Sequence, residues 1–319
     1  MKYLKHFSEH SLYEEYLVGS EFPETEGKPT VSLCKQQNEV HYNTYIAPPS
    51  YNILDILYAN ANGEKKVDST ILDPSLGYTP IGICVAKTGF FGENEPARFM
   101  SLKYMNYTTP ETGSLTVQDM GWGNSGINIS TIANIKYTHH GGYNYGYLTT
   151  SWQTQTYSLI PSVFDANNEW NTSVLGTANQ YVVTDIDGKN KTDKILATAT
   201  AQSTWMTDTS ITNNSDENYA PAACCCARYH TVGTNAGDWY LGAGGEMSMI
   251  VALRNDINTK LAQISAIYST DCVTSLASHY YWSSTAYDSY NAYYVYTYNG
   301  AIGSNYKSIG YYVVAMITY

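Results

Sequence analysis

Residues 293–298 read Tyr-Tyr-Val-Tyr-Thr-Tyr and alternate strictly, putting Tyr294, Tyr296 and Tyr298 on one side and Tyr293, Val295 and Thr297 on the other. A period of two is the mark of an extended strand, whose successive side chains leave opposite faces of a sheet. Asn299-Gly300 follows, a pair suited to a type I′ hairpin turn because both positions need positive φ. A returning strand over 301–306 and a last strand over 311–318 complete an expected three-stranded meander, with 278–285 leading into it. The carboxyl end is therefore committed to antiparallel sheet. Twelve of the 32 tyrosines lie in residues 280–319, where only Asp288 and Lys307 are charged.

Upstream, the pattern changes several times. Residues 1–46 mix acidic and basic side chains and end at Pro48-Pro49, so 1–48 read as an N-terminal arm and 49–319 as a ligand-binding domain. Strand-like runs at 53–58 and 66–72 flank the turn residues 60–63, a hairpin pattern. The run Thr-Pro-Ile-Gly-Ile-Cys-Val-Ala-Lys at 79–87 is continuous rather than alternating, as in a strand buried on both faces. A further strand is expected over 99–104. Residues 106–218, rich in Asn, Thr, Ser and Gly, have little periodicity and read as a long irregular insertion. Small residues crowd 219–230, as in a short buried helix. The clearest helix spans 245–268, where Met247, Ile250, Val251, Ile257, Leu261, Ile264 and Tyr268 recur at three and four residues while Arg254, Asn255, Asn258 and Gln263 lie off that face. The expected class is α+β.

Composition excludes several roles. Charged residues are 14% of the chain, against roughly 25% in an average soluble domain. The net charge of −11, with Arg98, Arg228 and Arg254 as the only arginines, opposes binding to nucleic acid or anionic membranes. No apolar run approaches the ~20 residues of a membrane span. The N-terminal residues carry no apolar core of a secretion signal, so synthesis in a cytoplasm is expected. The six cysteines (Cys34, Cys84, Cys224, Cys225, Cys226 and Cys272) lack zinc spacing and read as buried thiols. Neither a metal nor a cofactor is expected. His139-His140 reads as a loop pair, and 185–190 as an Asp-Gly turn rather than a calcium loop, which needs a different ligand spacing. Five Asn-x-Ser/Thr sequons (Asn106, Asn128, Asn171, Asn190, Asn213) read as chance in so Asn- and Thr-rich a chain. Hydrolase and nucleotide-binding motifs are missing.

From Ser283 to Val314 every residue except Lys307 belongs to the set encodable by a codon ending in a pyrimidine, the trace that random replacement of adenines in AAC or AAT codons leaves behind. The stretch 281–316, YYWSSTAYDSYNAYYVYTYNGAIGSNYKSIGYYVVAM, resembles the variable region of diversity-generating retroelement target proteins of Bacteroidales and their phages. There a WSST…Y…A…YV…NG…K…YYVRA framework alternates with hypervariable positions. TNAGDWYL at 234–241, with Glu246 beyond it, resembles the DWRLP…E element of bacterial lectin-like and formylglycine-generating-enzyme-like domains. Residues 101–114, 221–241 and 31–43 resemble the body and N-terminal segment of phage tail-associated members. Gly242 stands where the family has Pro, Ala286 where it has Glu, and Val314 where it has Arg.

This resemblance implies a C-type-lectin-like fold, two helices plus antiparallel sheets, carrying the long insertion and the arm. It implies a fixed framework of Trp282, Ser283, Ser284, Thr285, Val295, Gly300 and Lys307. It further implies varied, ligand-binding positions at Ala286, Asp288, Tyr290, Asn291, Tyr293, Tyr294, Tyr296, Tyr298, Ala301, Ser304, Asn305, Tyr306, Ser308, Ile309, Tyr311 and Val314. Trp282 and Val295 suit core anchors, while Ser283, Ser284 and Thr285 can satisfy backbone groups at a strand end. Exposed tyrosines offer large amphipathic contact area at low entropic cost, as in antibody loops. The implied role is a non-enzymatic receptor-binding protein of a phage tail. Its ligand would be a bacterial surface protein or glycan, the arm would join tail or fibre components, and a homotrimer is expected. The alternatives are a bacterial cell-surface adhesin and an oxidoreductase of the formylglycine-generating type, for which Cys272 has no partner in sequence.

Overall fold

The structure is a computed structural model. It describes residues 30–36, 39–45, 51–88, 90, 95–123, 185–198, 220–288, 290–298 and 302–319, the first two segments as backbone. The expectations for the rest of the arm, for 124–184 and 199–219 (His139-His140 among them) and for the Asn299-Gly300 turn lie outside these residues. The chain divides into two units, Met1–Pro49 and Ser50–Tyr319. In the first, β1 (Thr30–Gln36) pairs antiparallel with β2 (Glu39–Tyr45).

The second unit is α+β, with all its described strand pairings antiparallel apart from one isolated bridge. A six-stranded sheet has the order β4-β3-β5-β6-β11-β7, from β3 (Ile56–Asn60), β4 (Lys65–Asp68), β5 (Tyr78–Ala86), β6 (Arg98–Tyr104), β7 (Tyr240–Leu241) and β11 (Val314–Thr318). The described residues hold four helices rather than two: α1 (Gly188–Thr198), α2 (Pro221–Arg228), α3 (Gly244–Ala252) and α4 (Arg254–Ser265). None is long and apolar enough to cross a membrane.

The six-stranded sheet is buried on both faces. Ile56, Tyr58, Ile83, Val85, Met100 and Leu102 join Met247, Ile250, Ile257, Leu261 and Ile264 in one cluster under α3 and α4. Leu57, Ile81, Phe99 and Ala315 join Cys224, Cys225, Cys226, Trp122 and Trp239 in another around α2. This double burial explains the continuous apolar run of β5, which is buried from Pro80 to Ala86. The three cysteines of α2 are buried free thiols, packed as small apolar groups.

Three expectations are corrected. The helix expected over 245–268 is two, parted at Leu253 (ψ 7°). Its first half is buried on every face, whereas α4 is buried along Ile257, Leu261 and Ile264. The Asp-Gly turn of 185–190 instead leads into α1 at Gly188. The last strand, β11, leaves the meander for an interior place in the large sheet, between β6 and the edge strand β7. Four of its five residues are buried, the pattern of a two-sided interior strand. The second sheet is therefore β10-β9-β8, built from β8 (Tyr280–Ala286), β9 (Asn291–Tyr296) and β10 (Ile302–Tyr306).

Candidate functional site: a ring-bearing sheet on polar anchors

β8 carries the Trp-Ser-Ser-Thr element, and every residue of it is inaccessible to solvent. The Trp282 indole donates to the Met120 carbonyl at 2.9 Å. In return, the Trp122 indole donates to the Ser283 carbonyl at 2.7 Å. The Ser283 hydroxyl donates to the Tyr293 carbonyl at 2.8 Å, binding β8 to β9. Thr285 donates to Asp185 Oδ2 at 2.5 Å and accepts from the Gly244 N–H at 2.9 Å. Asp185 is itself buried and paired with buried Lys191 of α1 at 2.9 Å. Burial pushes the Asp185 carboxyl above its ordinary range, against the pull of Lys191 and Thr285. Ser284 differs from its expectation: its backbone N–H donates to the Gly242 carbonyl, while its buried hydroxyl has no partner among the described residues.

Gly242 and Glu246 complete the support. A Cβ on Gly242 would stand 2.8 Å from Met316 Cγ and 3.1 Å from Met247 Sδ, so a glycine here permits close packing of β7, α3 and β11. Glu246 is buried, accepts from the Ala243 N–H at 2.8 Å and from Tyr240 at 2.9 Å, and pairs with Arg98 Nε at 2.7 Å. Its carboxylate fastens the start of α3 to β6 and β7.

Two further expected framework residues, Val295 and Lys307, are also interior. Val295 is 1% exposed and Lys307 is fully enclosed. The Lys307 ammonium donates to the Asp288 carbonyl at 2.8 Å and lies 4.9 Å from the centre of a Trp122 ring. Burial lowers its pKa to about 8, with Asp288 pulling the other way. Burial works against the Asp288 carboxylate too, but the Asn291 side chain and the Asn291 and Tyr290 amides hold its pKa below the ordinary value.

The expected ligand-binding positions divide three ways. Tyr290, Tyr298 and Tyr306 are exposed at 59%, 63% and 62%, with Ser304, Ser308 and Ile309 also open to solvent. Asp288, Asn291, Tyr294, Tyr296 and Asn305 are half-buried. Ala286, Tyr293, Tyr311 and Val314 are buried, which corrects their reading as outward positions. Each has a physical reason. Tyr293 shares the inward parity of Val295, and burial raises its phenol to about 12. Ala286 faces Ala292 across the β8–β9 pair. Val314 belongs to the interior strand β11. Tyr311 is wedged against Trp282, with ring centres 4.5 Å apart, beneath Tyr280 and Tyr294. Gly300 and Ala301 lie outside the described residues.

The burial of β9 keeps the alternation read from sequence: Tyr294 and Tyr296 are partly open, Tyr293 and Val295 closed. Register then shows which rings share a face. Tyr280 pairs with Tyr296, Trp282 with Tyr294, and Gly303 with Tyr294, so these stand together. Tyr306 pairs with Asn291 and leaves from the opposite face. On the first face, Tyr280 stacks on Tyr296 at 4.3 Å and meets Tyr294 edge-on at 5.0 Å. His279 extends the array by stacking on Tyr312 at 4.1 Å. Tyr294 crosses over Gly303, where an added Cβ would come 2.5 Å from its hydroxyl.

Sequence reasoning passed over His279, Tyr280, Tyr287 and Tyr312. The exposure of Tyr287, at 48%, had a usable signal, since it adjoins Asp288 in the same loop. The His279–Tyr312 stack had none, because it joins residues 33 positions apart.

No protein-family model matches the chain, and no curated protein matches it. Among solved structures, a fimbrial protein from Bacteroides ovatus ATCC 8483 is similar, with a TM-score of 0.39 and 14% identity over 84% of this chain and 49% of that one. The chain thus spans about half the length of that protein, and a likeness of that size does not decide the fold.

Proposed function

We propose that this chain is a diversified ligand-binding protein, a retroelement target with a C-type-lectin-like scaffold, whose β8–β10 sheet and flanking loops form the ligand surface. The reading places it at a phage tail, with the arm toward the particle and the rings toward a bacterial surface protein or glycan. One observation carries the proposal: in a single 40-residue segment, hydrogen-bonded polar anchors are enclosed while tyrosines of no evident structural duty stand in water. A surface built this way can change residues at Tyr290, Tyr298 or Tyr306 without touching what holds the sheet. Rings of this type serve recognition well, because they bring much contact area and few rotatable bonds. A non-enzymatic role agrees with Cys272, which is 2% exposed and whose thiol burial pushes up to about 12, leaving it a thiol at neutral pH.

The test is a screen of glycans and bacterial outer-surface proteins, followed by Tyr290→Ala, Tyr298→Ala and Tyr306→Ala. Loss of about tenfold or more in affinity at one or more of these rings, at constant melting temperature, supports the reading. Selective ligands whose affinity ignores all three substitutions would place the site elsewhere.

A further inference from the structure

Lys307 stands where three segments meet. Its ammonium donates to the Asp288 carbonyl, and its own N–H donates to the Tyr290 carbonyl at 2.9 Å. Its carbonyl accepts from the N–H groups of Trp122 at 2.8 Å and Gly123 at 3.3 Å. One residue therefore ties the 287–290 loop, the turn after β10 and the 120–123 segment. The side chains on or beside these loops include Tyr287, Tyr290, Tyr306 and Ile309, all of them exposed. Rings on β8 and β9 are ordered by the ladder and by one another; in the loop, Tyr287 meets Tyr293 edge-on at 5.4 Å, and the backbone beneath is held by the bonds to Lys307. A cation enclosed at this junction is a costly way to fill space, since an apolar side chain would fill it without desolvating a charge.

We propose that Lys307 is a positioning residue, fixing the 287–290 loop so that Tyr287 and Tyr290 are held at set places on the ligand surface. The interest of the loop rests on the proposed function, but the positioning itself does not. Directed donation explains the geometry: an ammonium–carbonyl bond sets the Asp288 peptide, and the Asp288 side chain then caps the Tyr290 and Asn291 amides, both at 2.7 Å. Among the described residues, the charged group facing Lys307 from the 287–290 loop is Asp288. The 120–123 segment offers a neutral indole, with Asp119 just before it acting on Tyr312. The Asp288 carboxyl is already ionised at neutral pH, and Tyr293 titrates only near 12. A midpoint near 8 in this neighbourhood accordingly belongs to Lys307.

The test uses the full chain and no ligand. In labelled wild-type protein, the Lys307 side-chain carbon and the Asp288 carbonyl carbon should shift together with a common midpoint near 8. Lys307→Met, which keeps bulk and removes the donor, should abolish that titration and move the 287–291 backbone resonances. Its melting temperature at pH 7 should not fall. A flat Asp288 carbonyl, or a Lys307 that titrates with the surface lysines, overturns the proposal. So does a Met variant that keeps the wild-type loop resonances, or one that no longer folds, since Lys307 would then serve stability alone. A ligand screen that finds nothing would count against the proposed function and leave this result standing.

Discussion

The two sheets of the larger unit are held by different means. The six-stranded sheet lies between two apolar clusters, and its interior strands are buried almost without interruption. Its cohesion comes mainly from non-directional burial, with the buried Glu246, Arg98 and Tyr240 group as its main directed fastening. The three-stranded sheet is thinner in apolar residues and is fastened by donors and acceptors at fixed places: Trp122, Trp282, Ser283, Thr285 and Asp185. Directional anchoring uses few positions and leaves the others free. A surface meant to vary is better carried by the second kind of sheet, because the first has almost no position that can change without altering a packed interior.

Substitutions at matched sites can break this comparison. The largest effect is expected at the junction of the two sheets: Trp282→Ala removes a fully buried indole and should cost about 3–5 kcal/mol in denaturant unfolding. Shape-conserving changes come next and separate the sheets most sharply. Thr285→Val leaves Asp185 and the Gly244 N–H each short of a partner and should cost about 1.5–3 kcal/mol. Ile83→Val in the large sheet should cost less, about 0.5–1.5 kcal/mol. Equal losses at the two sites would remove the distinction. Ser283→Ala should cost a similar amount, about 1 kcal/mol, and smallest of all, Tyr298→Ala or Tyr306→Ser should stay within about 0.5 kcal/mol of wild type.

Stability against pH adds a further test. The folded pKa of Lys307, about 8, lies below the ~10.4 of an unfolded chain. Between these values the unfolded state binds more protons, so this group makes stability rise with pH from about 8 upward and contributes no slope below. Lys307→Met should lack the rise. Above about pH 10 the buried tyrosines, whose pKa values are raised, should reverse the trend as the unfolded chain ionises first.

What could be read in the sequence was what repeats locally. The continuous run of β5, the alternation of β9 and the small-residue stretch of α2 each carry their own period, and the structure has them within a few residues. β11 carried the same kind of run as β5, and its buried position could have been drawn from Val313-Val314-Ala315-Met316 by that analogy. The break at Leu253 was hidden because the apolar spacing continues across it. Asp185 was beyond reach: its partner Thr285 lies 100 residues away, and an Asp-Gly pair looks alike in a turn and before a helix. In the three-stranded sheet, parity along β9 sorted Tyr294 and Tyr296 from Val295 correctly. Ala286, Tyr311 and Val314 were misplaced because their burial is decided by what packs over them.

The separation of anchors from display is tested most directly by substituting every position of 280–319 in turn and reading protease resistance. The account expects Tyr290, Tyr298, Ser304, Tyr306, Ser308 and Ile309 to accept nearly any residue. Trp282, Ser283, Thr285 and Val295 should accept few. Unfolding on replacement of the open tyrosines as readily as on replacement of the enclosed anchors would contradict it.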